Sequence, residues 1–132
     1  TKNERKRPVP LPGYLVDYLD QYMRTIPGTY LFGKLNGEIM TKSSYDKMWK
    51  SITTKINLAA GGSEDLQVIF NLTAHVFRHN YCTNLCYQIP AISIKKIAAL
   101  MGDTEKMVIE VYNHIMEEKE NPANVVENAV AL

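Results

Sequence analysis

The sequence has little cysteine and less tryptophan: Cys82, Cys86 and Trp49 are the only ones in 132 residues. Two thiols four positions apart share one helical turn, where disulfide geometry is rarely reached. That excludes a disulfide framework and makes a reducing, cytoplasmic setting the simpler expectation. No apolar run comes near the ~18 residues that a membrane span needs. The basic opening TKNERKR is not followed by an apolar stretch, so it does not read as a signal peptide. Initiator methionine is missing as well, and the expectation is a processed chain or a piece of a longer one. Internal repeats and low-complexity blocks are absent, which excludes repeat architectures. There is also no net excess of charge to speak of: 15 Lys and Arg stand against 14 Asp and Glu, for +1.

What is present is ordinary globular material. Hydrophobic residues make up 45% and charged residues 22%, near the averages for folded domains. At 132 residues the chain is one domain or part of one. The charges are unevenly spread. Residues 1–79 hold 11 basic and 7 acidic side chains (+4), and residues 80–132 hold 4 and 7 (−3). A basic face can therefore hide behind the neutral total.

The periodicity is mostly helical. Residues 5–11 (RKRPVPL) read as a short extended segment, an edge strand or the exit of a hairpin. Tyr14, Leu15, Tyr18, Leu19, Tyr22 and Met23 form a helical stripe that Ile26-Pro27-Gly28 stops. Thr41 or Ser43 can cap a second helix, with Tyr45, Met48, Trp49, Ile52 and Ile56 on one side. Thr73 opens a strong helix that ends near Ile89-Pro90. Ser93 caps a short one closed by Gly102. Thr104 starts another, and Asn121-Pro122 breaks it before a last stripe of Val125, Val126, Ala129 and Val130. The expected class is mainly α with a short N-terminal β element, an α+β fold.

On the helix from Thr73, the side chains of His75, His79, Cys82 and Cys86 fall within about 60° of one another. Four such ligands on one stripe raise the possibility of zinc. Positions 75 and 86 are about 16 Å apart by helical rise, however, and one straight helix cannot wrap four ligands round an ion. The cysteines read better as small core residues. His75 and Arg78, spaced i, i+3, can converge on one anion, and the planar fork of Arg78 suits phosphate. Taken alone, Tyr112 is a core-edge tyrosine in register with Val108 and Ile115, and Lys2 is one exposed lysine among several.

Order and spacing give these residues more meaning. The strings LTAHVFRHNYCTNL and IAALMGDTEKMVIEVYNH resemble the second half of the catalytic domain of the tyrosine recombinase (phage integrase) family. His75, Arg78 and His79 fill the first motif of that family; Leu100-Met101-Gly102 and Tyr112-Asn113-His114 fill the second. Lys2 stands eight residues before Pro10 in KNERKRPVPL, the interval of the family's hairpin lysine. Asp103 stands where the family has a histidine or tryptophan, and the family's upstream arginine has no counterpart here.

The resemblance implies cleavage and rejoining of DNA strands through a 3′-phosphotyrosyl bond, with no metal and no small-molecule cofactor. It implies Tyr112 as nucleophile, Arg78 as the group neutralising the phosphate, His75 as its hydrogen-bonding or proton-accepting partner, and Lys2 as the acid for the leaving oxygen. His79, Asp103 and His114 would support the site. The expected organisation is one partial catalytic domain over residues 1–132, with residues 122–132 as a tail that docks in cis or in trans. The expected partner is double-stranded DNA, with a tetramer forming on it in the whole protein and no membrane involved. His75, Arg78 and Tyr112 should meet on one concave, basic patch. The 132 residues alone are expected to bind DNA weakly and not to cleave it. Two rival readings stand beside this: a DNA-binding module of the same fold with impaired cleavage, and a plain helical interaction domain.

Overall fold

The computed structural model describes residues 6–131 of the chain. It falls into two compact units: one over residues 10–72, the other joining residues 6–9 to 73–131. Six helices lie along the described residues: α1 (Gly13–Met23), α2 (Lys42–Ala59), α3 (Ala74–Cys86), α4 (Ile94–Met101), α5 (Glu105–Lys119) and α6 (Pro122–Val130). None is long and apolar enough to cross a membrane.

The helix starts are local chemistry. Thr41, Thr73, Ser93 and Thr104 each sit extended ahead of a helix, and each side-chain oxygen accepts the backbone N–H three residues on. Each satisfies one of the N–H groups that a helix start leaves unpaired.

In the unit over residues 10–72, α1 and α2 flank a turn in which the Lys34 N–H donates to the Glu38 carbonyl at 2.8 Å and Gly33 faces Ile39 across an isolated bridge. Asn57 then organises the loop after α2. Its amide donates to the carbonyls of Ser63 and Leu66, and its carbonyl accepts the Val68 N–H at 2.8 Å. Trp49 donates its indole N–H to the Leu72 carbonyl and stacks on Tyr45. The α1 stripe is only half covered: Leu15 and Leu19 are half-buried, while Tyr14, Tyr18, Tyr22 and Met23 are exposed.

The other unit holds the core. α3, α4 and α5 pack on one another around Cys82, Cys86, Ile97, Ala98, Met101, Val108 and Ile115. Burial pushes the Cys86 thiol up to about 11 and the Cys82 thiol up as well. Both therefore stay protonated at neutral pH and behave as small apolar side chains.

The expected N-terminal β element is not seen among the described residues. Among the described residues there are no strands, only the bridge at Gly33 and Ile39. A strand is defined by its partner, and no described segment pairs with residues 6–11. Pro8, Pro10 and Pro12 moreover remove the backbone donor at every second position, the set that one edge of a ladder would use. An extended pattern in the sequence was thus a statement about backbone preference, not about pairing.

Ile97 is fully buried at the centre of the three-helix core. Ile97→Ala should cost this unit about 2–5 kcal/mol, the usual range for emptying a packed aliphatic site. Lys95→Ala, on the exposed side of the same helix, should stay within about 0.5 kcal/mol. Denaturant melts of the two variants check both.

Candidate active site

α3 begins at the Thr73 cap, and its first turns carry His75, Arg78, His79 and Cys82 along one face. Cys82 points into the core, which fixes the rotation of the helix and turns Arg78 toward the end of α4. That helix end is built by a glycine. Gly102 adopts φ 63°, and its N–H and that of Asp103 return to the carbonyls of Ala99 and Ala98. Glycine takes this left-handed conformation without the Cβ penalty.

The reversal leaves the Met101 carbonyl facing α3. Arg78 Nη2 donates to it at 2.6 Å and also to Asp103 Oδ2 at 3.2 Å. The second oxygen of Asp103 accepts the Thr104 N–H at 2.8 Å. Asp103 therefore does not cap α5, since Thr104 does that; it clasps the arginine from the loop before the cap. The Thr104 N–H first, and the Arg78 guanidinium with it, hold the Asp103 carboxyl below its usual range.

A cleft of about 610 Å³ opens beside this pair between α3 and α5. His75, Arg78, His79, Asp103 and His114 all line it, so five residues singled out in the sequence are brought together. His114 Nε2 lies 3.5 Å from Glu118 Oε1, another lining residue. The expected basic patch is in fact mixed in sign, because Asp103, Glu110 and Glu118 share the cleft with Arg78 and the histidines. Cys82, Met101, Met107, Val111 and Ile115 make its apolar lining. Met107, Val111 and Ile115 were not identified from the sequence as site residues, although with His114 and Glu118 they follow the i, i+3, i+4 spacing of one helix face.

Tyr112 is not among the lining residues. It is half-buried and packs against the core cluster, where its register with Val108 and Ile115 puts it. By helical rotation it stands about 100° round α5 from Val111, which faces the cleft. Lys2 lies outside the described residues. Among the described residues no three His, Cys, Asp or Glu side chains are grouped to hold a metal ion.

The model of the phage integrase family matches residues 1–119. The chain is similar to the tyrosine recombinase XerD of Pseudomonas aeruginosa, 25% identical over 122 residues that cover 86% of this chain and 37% of that protein. It is likewise similar to the tyrosine recombinase XerD of Staphylococcus saprophyticus and of Staphylococcus aureus strain Mu50, each 23% identical with the same coverage. The chain thus spans little more than a third of the length of these curated relatives. No solved structure matches it.

The Asp103 clasp has a pH signature. Its folded-state pKa is depressed, so the stability it contributes is present above the unfolded carboxyl value, about 3.9, and is lost as pH falls through the lower folded value. Asp103→Asn should lower stability at pH 7 by no more than about 1 kcal/mol, because the pair is partly exposed and screened. The difference should shrink as pH falls below the ordinary carboxyl value and disappear once the folded-state carboxyl is protonated as well. Melts of both proteins across pH 2–7 measure it.

Proposed function

The chain belongs to the phage integrase family, and from that premise we propose that it is part of a site-specific recombinase that breaks and rejoins double-stranded DNA through a phosphotyrosyl intermediate. In this reading the Tyr112 oxygen attacks the scissile phosphorus. The new phosphorus–oxygen bond forms as the bond to the 5′-oxygen breaks, and Lys2 gives that oxygen its proton. A 5′-hydroxyl later attacks the phosphotyrosine, returns the tyrosine and restores the DNA linkage. One phosphoester is exchanged for another, so neither step draws on a metal or a cofactor.

The observation that carries the reading is the Arg78 anchorage. One guanidinium nitrogen, Nη2, is used on Met101 and Asp103. The remaining N–H groups of the fork have no partner among the described residues, which suits them to the non-bridging oxygens of a phosphate. His75, one turn before Arg78, lies in the same cleft and serves as hydrogen-bond partner to the phosphate or acceptor of the tyrosine proton. His79, His114 and Asp103 hold the surroundings. Because Tyr112 packs beside the core, cleavage on this reading requires α5 to turn or shift when DNA binds.

A second reading has its own observation. Asp103 occupies part of the Arg78 fork and places a negative charge where a phosphate would sit, which favours a DNA-binding module with impaired cleavage. A nicked suicide duplex separates the two. In a recombinase carrying this segment, a covalent adduct should form and Tyr112→Phe should abolish it while leaving DNA affinity and melting temperature unchanged. The 132-residue chain alone should bind duplex DNA no more tightly than micromolar at physiological salt, on the order of non-specific binding, and should trap little adduct. Binding without adduct in the longer protein would favour the second reading.

We also propose that the tail is a docking element. Among the described residues no other helix packs on α6, and Val125, Val126 and Val130 are 61%, 58% and 68% exposed on it. A nine-residue helix does not hold its shape by itself in water. Deleting residues 123–132 should weaken self-association on DNA and leave the α3–α4–α5 core as stable as before. Sedimentation and a thermal melt of the truncated chain read the two effects.

A further inference from the structure

A second arginine reaches the same helix end from the far side of the sequence. The space that a Cβ on Gly102 would fill is taken by the guanidinium of Arg7, whose Cζ would stand 2.7 Å from it and Nε 3.2 Å. The left-handed backbone at Gly102 favours glycine, and the Arg7 guanidinium lies against the side that a Cβ would occupy. The residue on one side of Gly102 is Met101, whose carbonyl holds Arg78; the residue on the other is Asp103, which holds it too. Arg7 and Arg78 therefore converge on the tripeptide Met101–Asp103.

The two arginines differ in what they bond. Arg78 is anchored through Nη2, whereas Arg7 makes no hydrogen bond or ion pair with any described residue and is exposed. Both guanidiniums are charged at any working pH. The one carboxylate clasped at this end, Asp103, leaves a surplus of one positive charge. Five unshared N–H donors on Arg7, at the same helix end as a second fork with free donors, suit an anion bridged by both.

We propose that Arg7 is a phosphate-binding residue of this site, gripping a DNA phosphate together with Arg78 across the Gly102 turn. The inference rests on the DNA-binding reading above and adds a residue to it. The alternative is that Arg7 only covers the glycine and faces the negative end of α4.

The test is duplex DNA binding by the 132-residue chain, followed by fluorescence anisotropy over a salt series. Arg7→Gln should weaken binding on the order of tenfold at low salt, as expected for loss of a charge-assisted contact. It should make the slope of log affinity against log salt shallower by about 0.9, the value for one phosphate contact. Arg7→Lys should restore the slope but not the full affinity, because the charge returns without the fork. Arg7→Gln combined with Arg78→Gln should lose less than the product of the single losses, since both act on one phosphate. A slope unchanged in Arg7→Gln with a lowered melting temperature would overturn the proposal in favour of simple covering. Multiplying losses would overturn it in favour of separate contacts. A wild-type chain with no salt-dependent binding would bring down the DNA-binding reading itself, and this proposal with it. If Arg7→Gln does not fold, Arg7→Lys decides: full affinity retained contradicts the fork, and reduced affinity at wild-type slope supports it.

Discussion

Arg78 donates to the carbonyl that ends α4, and much of the second unit can be read as the set of conditions that make this bond possible. The last carbonyls of a helix have no partner within it. At α4 the Gly102 reversal satisfies those of Ala98 and Ala99 and turns the Met101 carbonyl toward α3. A guanidinium there meets both a carbonyl and the negative end of the helix dipole. The bond at 2.6 Å holds a cation in a fixed place without consuming all of its donors, which is the property a phosphate site needs.

The apolar core supplies the rigidity behind that bond. Cys82 and Cys86 on α3, Ile97, Ala98 and Met101 on α4, and Val108 and Ile115 on α5 form one buried cluster. Small thiols on α3 let the helices approach closely, and their raised pKa values keep them uncharged there. Met101 takes part twice, its side chain in the core and its carbonyl on Arg78. Packing and polar chemistry are therefore coupled at a single residue, and loosening the core would move the arginine.

Asp103 changes the character of the site from what its neighbours in sequence imply. A histidine or tryptophan at that place would offer a donor to an anion; the aspartate offers an acceptor to Arg78 and to the Thr104 N–H. The result is a clasped arginine in a cleft of mixed charge. On the proposed reading, a phosphate would share Arg78 with a carboxylate already in place.

Much of this was legible in the linear sequence because it depends on residues close together along the chain. The caps at Thr41, Thr73, Ser93 and Thr104 and the glycine stop at Gly102 involve neighbours within a few positions. The shared face of His75, Arg78, His79 and Cys82 follows from helical spacing alone, as does the core-edge register of Tyr112. Contacts between distant segments were not legible. The clasp of Arg78 by Asp103 spans 25 positions, and the seat of Arg7 on Gly102 joins the beginning of the chain to its last third. The mixed charge of the cleft arises only when α5 brings Glu110 and Glu118 opposite α3. The missing strand at residues 6–11 has the same origin, because a strand needs a partner that no local pattern guarantees. Local sequence determined which residues are helical and which side chains share a face; which of those faces meet, and what charge they meet, was decided by tertiary packing, since that depends on contacts between segments far apart in the chain.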